Sequence, residues 1–460
     1  MKNNLFYSLI TLGLKPSSKI LKVNLAFINM EGGKISNSIY LLLLLLINTN
    51  LFVFGQERVT LSGYIIDQES NETLIGVNVG LPEIQDGATT NEYGFYSISV
   101  PKGTYELKIS YLGYESRNEQ IEFKETLSKN FKLTPEAELL DEVIVEENIE
   151  LLNLKSPQMS VNNLAIQTIK NIPAALGEVD IIKSITLLPG VTSAGEGASG
   201  FNVRGGAADQ NLILLDEAII FNSSHLFGFF SVFNGDAIRN ATLIKGGMPA
   251  QYGGRLSAVL DISMKDGNMN KLQAEGGIGS ISSRLSIQGP IKKDKASFIV
   301  SGRRTYIDAL IKPFIKKSSQ FYGSGYYFYD LNAKFNYRFS NKDRLYISGY
   351  FGRDVFDFVN KQRQFNVGIP WGNSTVTARW NHVFSKKLFM NSTVVYNDYN
   401  FALNALQNNF DFSLSSGIRD VNIKTDLDYY LSPEHKLKYG LQYTFHRFSP
   451  SVVSGRQDSV

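Results

Sequence analysis

Cysteine is absent from the 460-residue chain, and histidine and tryptophan are scarce, with four and two residues. The absence of cysteine excludes disulfide bonds, thiolate-bound metals, thiol nucleophiles and a lipoprotein anchor. The histidines His225, His382, His435 and His446 are far apart and form no HExxH motif, so a histidine-based metal or catalytic centre is not expected. The sequence therefore predicts no cofactor and no enzymatic activity.

An excess of one charge sign is also lacking, because 46 basic residues are balanced by 43 acidic ones. No block of lysine and arginine stands out, so nucleic acid is not an expected partner. Hydrophobic residues make up 43% of the chain and charged residues 19%. This balance is typical of a folded protein and excludes a disordered chain.

One apolar run stands out near the N-terminus, at residues 39–54. Lys34 precedes it, and Val53 and Gly55 occupy the positions that direct signal-peptide cleavage. A single anchoring helix is the alternative, but polar residues interrupt the run. We assign residues 1–55 to an N-terminal extension and signal peptide.

The next region, residues 56–135, contains short β-rich runs separated by turn residues. Within it, Asn91 and Gly94 lie between two strand-like pieces, which predicts a hairpin over residues 89–96. Strands at this spacing predict a small β-sandwich. The expected strands are residues 59–66, 76–80, 94–100, 104–111 and 130–133.

The same region resembles a known domain. The stretches SGYIIDQESNETLIGVNVGL and TTNEYGFYSISVPKGTYELKISYLGYE are similar to the carboxypeptidase-regulatory-like domain at the front of many Bacteroidetes-type outer-membrane receptors. This resemblance implies a non-catalytic domain. No cluster of acid, base and nucleophile in the sequence contradicts that expectation.

An acidic tether follows at residues 136–159. Three β-branched residues inside it cannot be buried locally, but they can add as a strand to the sheet edge of another protein. In this position the run resembles a TonB box, which in that family binds the energy-transducing protein TonB; a plain linker strand is the alternative. The residues assigned to TonB binding are Asp141, Glu142, Val143, Ile144 and Val145.

Residues 160–267 carry the segments GFNVRGGAADQNLILLDEAII and ATLIKGGMPAQYGGRLSAVLDISMKDG. Short apolar strands alternate there with Gly-Gly pairs, which allow turns of positive φ. The segments resemble the two signatures of the TonB-dependent receptor plug, an α/β domain; an ordinary soluble α/β domain is the alternative. The plug-motif residues are Arg204, Gly205, Gly206, Asp216, Lys245, Gly246, Tyr252, Gly253 and Gly254.

This motif departs from the family at two positions. The resemblance implies that Arg204, and an arginine at the position of Lys245, pair with barrel glutamates expected beyond residue 460. Lys245 offers a point charge where the family has a bidentate fork. Glu217 stands where a glycine commonly follows Asp216.

A different pattern begins after residue 267. In residues 331–339, 423–431 and 437–445, mainly apolar positions alternate with mainly polar or charged ones. Period two with one apolar and one polar face is typical of strands that cross a membrane in about ten residues. A large soluble sandwich with one solvated face is the alternative.

Connection lengths favour membrane-spanning strands. Short turns are expected at residues 292–294, 341–343, 385–386 and 432–434, and long connections at 305–321, 353–372 and 401–417. Short and long connections alternate in outer-membrane barrels. From a first strand at 272–279 we expect about nine strands by Arg447 and a loop over 449–460. Because plugged barrels have about 22 strands, residues 268–460 predict an incomplete barrel.

These features predict a mainly β chain with an N-terminal β-sandwich, an α/β plug domain and an incomplete antiparallel transmembrane β-barrel. The resemblance implies an outer-membrane receptor for TonB-coupled uptake of a nutrient, with its N-terminal domain in the periplasm. The implied partners are TonB, outer-membrane lipid, an unidentified nutrient and, for glycan or peptide ligands, a surface lipoprotein lid. The alternatives are an exported adhesion or signalling β-protein without transport, and a soluble carbohydrate-binding sandwich.

Overall fold

A computed structural model describes residues 57–136, 160–170, 172, 178–195, 200–225, 228–433 and 435–457. The expected signal peptide and the five TonB-binding residues at 141–145 lie outside these ranges. Strands dominate the described part of the chain. None of its helices has the length and hydropathy needed to cross a membrane.

Two four-stranded sheets form the N-terminal sandwich, and Leu61, Tyr96 and Ile109 are buried between them. The hairpin expected over 89–96 is wrong, because the turn at Gly94 (φ 78°) joins strands of different sheets. One sheet contains β1 (Arg58–Asp67), β4 (Phe95–Pro101), β7 (Leu127–Ser128) and β8 (Phe131–Leu133). The other contains β2 (Asn78–Leu81), β3 (Asp86–Thr89), β5 (Gly103–Ser110) and β6 (Arg117–Phe123), with a 3-10 turn at Pro82–Ile84.

The plug domain is built on a five-stranded mixed sheet in the order β13-β12-β17-β16-β9. Two short helices contribute Ile169 and Ile185 to a core that contains Leu243 and Leu260 from the sheet. The sheet strands are β9 (Val161–Ala165), β12 (Asn211–Leu215), β13 (Ala218–Ile219), β16 (Ile238–Ile244) and β17 (Ala258–Met264). The other elements are α1 (Ile166–Lys170), α2 (Ile181–Ile185), β10 (Val191–Ser193), β11 (Phe201–Val203), a 3-10 turn at Ala208–Gln210, β14 (Ser224–His225) and β15 (Phe230–Ser231).

Nine antiparallel strands follow, paired in chain order. The first three are β18 (Gln273–Ile278), β19 (Ser282–Lys292) and β20 (Ala296–Thr305), followed by α3 (Ile307–Ile311) and a 3-10 turn at Lys312–Phe314. The remaining strands are β21 (Gly325–Arg338), β22 (Asp343–Asn360), β23 (Phe365–Ser385), β24 (Leu388–Gln407), β25 (Phe410–Ser432) and β26 (His435–Gln457). The predicted strand count and all four short turns are confirmed.

Two of the three long connections are wrong. β22 continues to Asn360 and β23 begins at Phe365, while β24 and β25 are joined by a tight turn after Gln407. The loop expected over 449–460 is also wrong, since β26 extends to Gln457. The strands therefore run well beyond the length that a membrane crossing needs.

The two faces of this sheet differ in polarity, and the difference reverses along the strands. Between the short turns and Phe351, the face turned away from the plug exposes apolar side chains, including Leu331, Ile347, Val376, Val394 and Ile423. Beyond Phe351 the outward positions include Asp357, Asn366 and Asn404, while the inward positions include Phe356, Trp371 and Phe401. Because of this reversal, a pattern with the apolar side chains on one constant face ends near Phe351, although the strands continue.

Candidate functional site

Lys334 on β21 is the centre of one contact between the plug and the sheet. Its Nζ lies 2.9 Å from Asp216 Oδ2 and 2.8 Å from Asp266 Oδ1, and donates to Met264 O at 3.1 Å. The three charged side chains are buried. Burial opposes ionisation of Asp216, but Lys334 and Arg379 outweigh it and hold the pKa of that carboxyl below its usual range. Because an unpaired buried ion is costly, this cluster fixes the position of the plug.

Asp216 and Glu217 form the two-residue turn between β12 and β13, with φ values of 46° and 71°. Such a turn favours glycine at its second position, and a side chain there costs about 1 kcal/mol. The carboxylate of Glu217 offsets this strain by accepting hydrogen bonds from Thr393 Oγ1 at 2.9 Å and Asn391 Nδ2 at 3.1 Å. Lys424 Nζ lies 3.8 Å away. The departure from the family's glycine thus adds a second contact between plug and sheet.

His225 carries a third contact, which no motif in the sequence indicates. Its Nδ1 lies 2.7 Å from Asp354 Oδ2, and its Nε2 lies 3.0 Å from Asp330 Oδ1. The ring stacks on Phe328 at 3.9 Å between centroids. Burial disfavours the imidazolium, but Asp330 and Asp354 outweigh it and raise the pKa of His225 to about 9. At neutral pH a cation of the plug therefore bridges two carboxylates of the sheet.

Arg303 on β20 extends this cluster back to the plug. Its Nη2 lies 2.6 Å from Asp330 Oδ2 and donates to Ser231 O at 2.7 Å, and its Nη1 lies 3.5 Å from Glu178 Oε2. Ser282 Oγ donates to Glu178 as well. Plug and sheet thus interleave charges of opposite sign. Among the described residues no group of His, Cys, Asp and Glu side chains is arranged to hold a metal ion.

Arg204 and Lys245 lie side by side where the plug begins. Arg204 Nη2 donates to Ser160 Oγ at 2.8 Å, and the backbone N of Lys245 donates to Ser160 O at 3.0 Å. Lys245 Nζ donates to Pro189 O at 3.0 Å. A Cβ at Gly246 would lie 2.8 Å from Arg204 Nη1. Both motif segments therefore hold the first described residue after the tether, and their pairing with barrel glutamates stays a prediction.

Tyr252 belongs to a buried carboxylate cluster. Its hydroxyl donates to Asp261 Oδ2 at 3.1 Å. Burial, together with the charges of Glu92 and Glu217, raises the pKa of Asp261 to about 7. This part of the plug is therefore sensitive to pH near neutrality.

The structure explains the glycine at some of the remaining motif positions but not at all of them. Gly205 and Gly254 have φ values of 84° and 80°, which favour glycine. A Cβ at Gly206 would lie 2.3 Å from Ser257 Oγ. Nothing in the structure explains Gly253.

The sandwich contacts the sheet through aromatic rings at the end where the short turns lie. Phe389 on β24 stacks on Tyr93 and Phe95 with centroid distances of 5.3 and 5.4 Å. Tyr430 packs edge-on against Phe95 at 6.1 Å. The guanidinium of Arg344 lies 3.8 Å from the ring centroid of Tyr64. These rings join the sandwich to the sheet through apolar area and a cation–π contact.

Polar bonds complete the contacts of the sandwich. Asn91 Nδ2 donates to Asp428 Oδ2 at 3.0 Å, and Ser97 Oγ donates to Lys386 O at 2.8 Å. Toward the plug, Glu72 Oε1 accepts from the backbone N of Gly267 at 2.7 Å. The sandwich thus touches both the plug and the short-turn end of the sheet.

Two family models match this chain. The CarboxypepD_reg-like domain matches residues 61–145, and the TonB-dependent Receptor Plug Domain matches residues 155–259. The first match extends over the five residues assigned to TonB binding. No curated protein matches the chain.

Several solved structures resemble the chain at low identity. The siderophore receptor PirA from Acinetobacter baumannii has 13% identity and a TM-score of 0.40, with 64% of this chain and 58% of that chain covered. PirA from Pseudomonas aeruginosa has 15% identity and a TM-score of 0.39, with 66% and 60% covered. The ferric yersiniabactin uptake receptor FyuA from Yersinia pestis has 11% identity and a TM-score of 0.40, with 65% and 60% covered.

The chain spans 58–60% of the length of these three solved structures. The first family model matches the region that forms the sandwich, and the second matches the region that forms the plug. The chain therefore carries a CarboxypepD_reg-like domain followed by a TonB-dependent receptor plug domain.

Proposed function

We propose that this chain acts as an outer-membrane receptor for TonB-coupled uptake of a nutrient ligand. The observation that carries the proposal is the seating of the plug domain on the polar inner face of a sheet whose outer face is apolar. Buried charges on both sides, including Lys334 and His225, hold the plug there. A water-soluble sandwich has no reason to expose the apolar outer face of this sheet to solvent.

The apolar outer face is long enough along the strands for a membrane crossing. On β23 it extends from Phe384 to Val376, and on β22 it ends at Phe351. About ten residues per strand lie within it, which is what a tilted strand needs to cross the hydrocarbon region. The sandwich lies at the short-turn end of the sheet, which supports its placement in the periplasm.

The tether supplies the coupling step. Residues 141–145 offer a β-branched strand between the sandwich and the plug, and TonB would bind it by strand addition. Arg204 and Lys245 both bond to Ser160, so a pull on the tether reaches these motif residues first. Movement of the plug away from the sheet then opens a path for the ligand.

The ligand is proposed only as a nutrient. PirA is named a siderophore receptor, and that name states the ligand of PirA. The other proposed partners are TonB and outer-membrane lipid, with a surface lipoprotein lid if the ligand is a glycan or a peptide. No chemical reaction is assigned to the chain.

A binding experiment tests the proposal. The purified chain is titrated with the periplasmic domain of TonB, beside a variant lacking residues 141–145 and a control lacking residues 147–151. We expect binding by the full chain and the control and none by the first deletion, and we expect the full chain in the outer-membrane fraction of cells. Outer-membrane location without TonB binding would favour the adhesion or signalling alternative, and a soluble chain would exclude both.

A further inference from the structure

A cavity of about 370 Å³ lies between the sandwich and the plug. Tyr111 and Tyr114 contribute to its wall from the sandwich, and Arg239 and Asn240 contribute from β16 of the plug. The volume falls within the range of about 300–1,000 Å³ that is typical of ligand pockets. No step of the proposed uptake uses this cavity.

A β-bulge in β16 brings two consecutive side chains to the cavity. The pairing of β16 with β17 shifts register between Ile238 and Asn240, so Arg239 is the extra residue. Neighbouring side chains of a regular strand point to opposite faces, whereas a bulge re-aims one of them. Arg239 and Asn240 both line the cavity as a result.

Each of these two side chains has a buried polar atom that lacks a hydrogen-bond partner among the described residues. The atom of Arg239 is Nε, a donor, and the atom of Asn240 is Oδ1, an acceptor. Asn240 is only 7% exposed, and a buried polar atom without a partner is costly. The remainder of the guanidinium is engaged, because Arg239 Nη1 donates to Thr73 O at 3.1 Å and lies 3.3 Å from Asp266 Oδ2. A peptide group offers one acceptor beside one donor and would satisfy both free atoms.

The charge at the rim of the cavity selects the side chains of such a peptide. The carboxylates of Glu69 and Glu136 line the cavity on exposed residues, and within the described ranges neither makes an ion pair. Lys265 also lines the cavity, but its Nζ lies 3.0 Å from Glu275 Oε1 and is neutralised there. The rim therefore carries uncompensated negative charge, which attracts basic side chains.

Apolar side chains complete the rim on the side of the sandwich. Leu112 is 72% exposed, and it lies between Tyr111 and Tyr114, whose ring centroids are 5.4 Å apart. All three residues line the cavity. Alternate side chains of an extended peptide point to opposite sides. One set can thus reach the carboxylates while the other set packs on these apolar residues.

The tether of this chain has the wrong charge for the cavity. Residues 137–159 have acidic side chains at positions 138, 141, 142, 146, 147 and 150, against one basic residue, Lys155. Glu69 and Glu136 would repel such a segment, since like charges in contact are unfavourable. A basic peptide for this cavity must therefore come from another molecule.

We propose that this cavity binds an extended basic peptide segment of a partner protein. Arg239 Nε donates to a backbone carbonyl of the segment, and Asn240 Oδ1 accepts from a backbone N–H. Glu69 and Glu136 bind its lysine or arginine side chains. The inference goes beyond the proposed function, because it adds a partner that binds the sandwich and the plug together, apart from the TonB contact at residues 141–145.

The test uses the full chain in detergent micelles and isothermal titration calorimetry. The probe is an acetylated and amidated hexapeptide of alternating lysine and valine, beside the same peptide with glutamate in place of lysine. We expect the lysine peptide to bind about tenfold more tightly than the glutamate peptide. Glu69→Gln/Glu136→Gln should lose about tenfold in affinity for the lysine peptide. Glu83→Gln/Glu125→Gln, at exposed positions of the sandwich outside the cavity, should bind it like the unchanged chain.

A second measurement tests the contact with the peptide backbone. Asn240→Ala should lose about fivefold in affinity for the lysine peptide. The ester analogue of this peptide lacks N–H donors and should bind the unchanged chain more weakly. The ester should cost less affinity in Asn240→Ala, because the acceptor is already absent there.

The contrary outcomes are distinct. Equal affinity for the lysine and glutamate peptides, unchanged affinity in Glu69→Gln/Glu136→Gln, or an equal ester effect in the unchanged chain and Asn240→Ala would overturn the peptide site. Full displacement of the peptide by millimolar free lysine would also overturn it, because it would reveal a site for a lone cation. Deletion of residues 141–145 should leave the peptide affinity unchanged, so a failure of TonB binding would refute the proposed function without touching this inference.

Discussion

The plug and the sandwich contact the same sheet with different chemistry. The plug presents buried charges, centred on Lys334 and His225, whereas the sandwich presents aromatic rings around Phe389. Buried ion pairs add little net stability because desolvation offsets attraction, yet loss of one partner is costly. Aromatic contacts gain their stability from apolar area removed from water.

This difference shows how the two contacts would open. Water can solvate the separated charges of the plug, so displacement of the plug into water would restore much of the free energy that separation costs. The aromatic rings of the sandwich gain nothing from water when they separate from the sheet. Their contact is therefore stable as long as water is excluded from it. Under the proposed function, ionic surfaces suit the plug, which moves during uptake, and an aromatic surface suits the sandwich, which stays docked.

Removal of the lysine cation should break the plug contact most severely. Lys334→Met leaves Asp216 and Asp266 buried without it, so we expect a loss of about 3–5 kcal/mol in the free energy of unfolding. The free energy of unfolding is measured by denaturation in guanidinium chloride, followed by the fluorescence of Trp371 and Trp380. Lys342→Met, at an exposed turn, is the control. A loss below about 1 kcal/mol would contradict the central role of Lys334.

Truncation of the central ring should break the sandwich contact selectively. Phe389→Ala removes a fully buried ring, and we expect a loss of about 3–4 kcal/mol. Hydrogen exchange should become faster in β4 while β16 of the plug stays protected. Phe384→Ala, on the exposed outer face, should leave both strands unchanged. Equal loss of protection in β4 and β16 would show that the two contacts are not independent.

Replacement of the histidine should weaken the plug contact in a pH-dependent manner. Because the pKa of His225 is raised to about 9, its stabilisation is fully present below pH 6.5 and is lost as pH rises through about 9. His225→Asn should therefore cost about 2–3 kcal/mol at pH 7 and much less at pH 10. His435→Asn, in an exposed position, is the control. A cost independent of pH would exclude the imidazolium bridge.

Neutralisation of Asp261 should have the opposite sign to the other three changes, because it should stabilise the chain. Its pKa is raised to about 7, so ionisation costs stability as pH rises from about 4 through 7. Asp261→Asn should be more stable than the unchanged chain by up to about 4 kcal/mol at pH 8 and nearly equal to it at pH 4. Thermal unfolding at both pH values measures this, with the exposed Asp209→Asn as control. Destabilisation at pH 8 would contradict the raised pKa.

The sequence predicted the architecture because local periodicity reports which face of a strand is apolar. Residues 331–339 alternate strictly, and β21 occupies Gly325–Arg338. The same logic failed at residues 353–372, because the apolar positions change face at Phe351 while the backbone ladder continues. A one-residue shift of the apolar pattern resembles the end of a strand, although here it is a change of environment.

The chemistry of the plug contact could not be predicted in the same way. Asp330 and Asp354 lie 105 and 129 residues from His225, and no local pattern connects them. The alternating pattern assigned charged residues such as Lys334 to the polar face of the sheet. A polar face need not be exposed to solvent. Only the fold shows that the plug covers that face and buries them.

The position of β9 determines how force would travel through the plug. This strand is an edge of the five-stranded sheet and, among the described residues, pairs with β16 alone, from Val161 opposite Ile244 to Ala165 opposite Asn240. A pulling force on Ser160 would act on one end of the β9–β16 pairing. Its hydrogen bonds would then break one after another, starting at Val161. The other four strands would keep their pairing while β9 peels away, which makes the first mechanical step a small one.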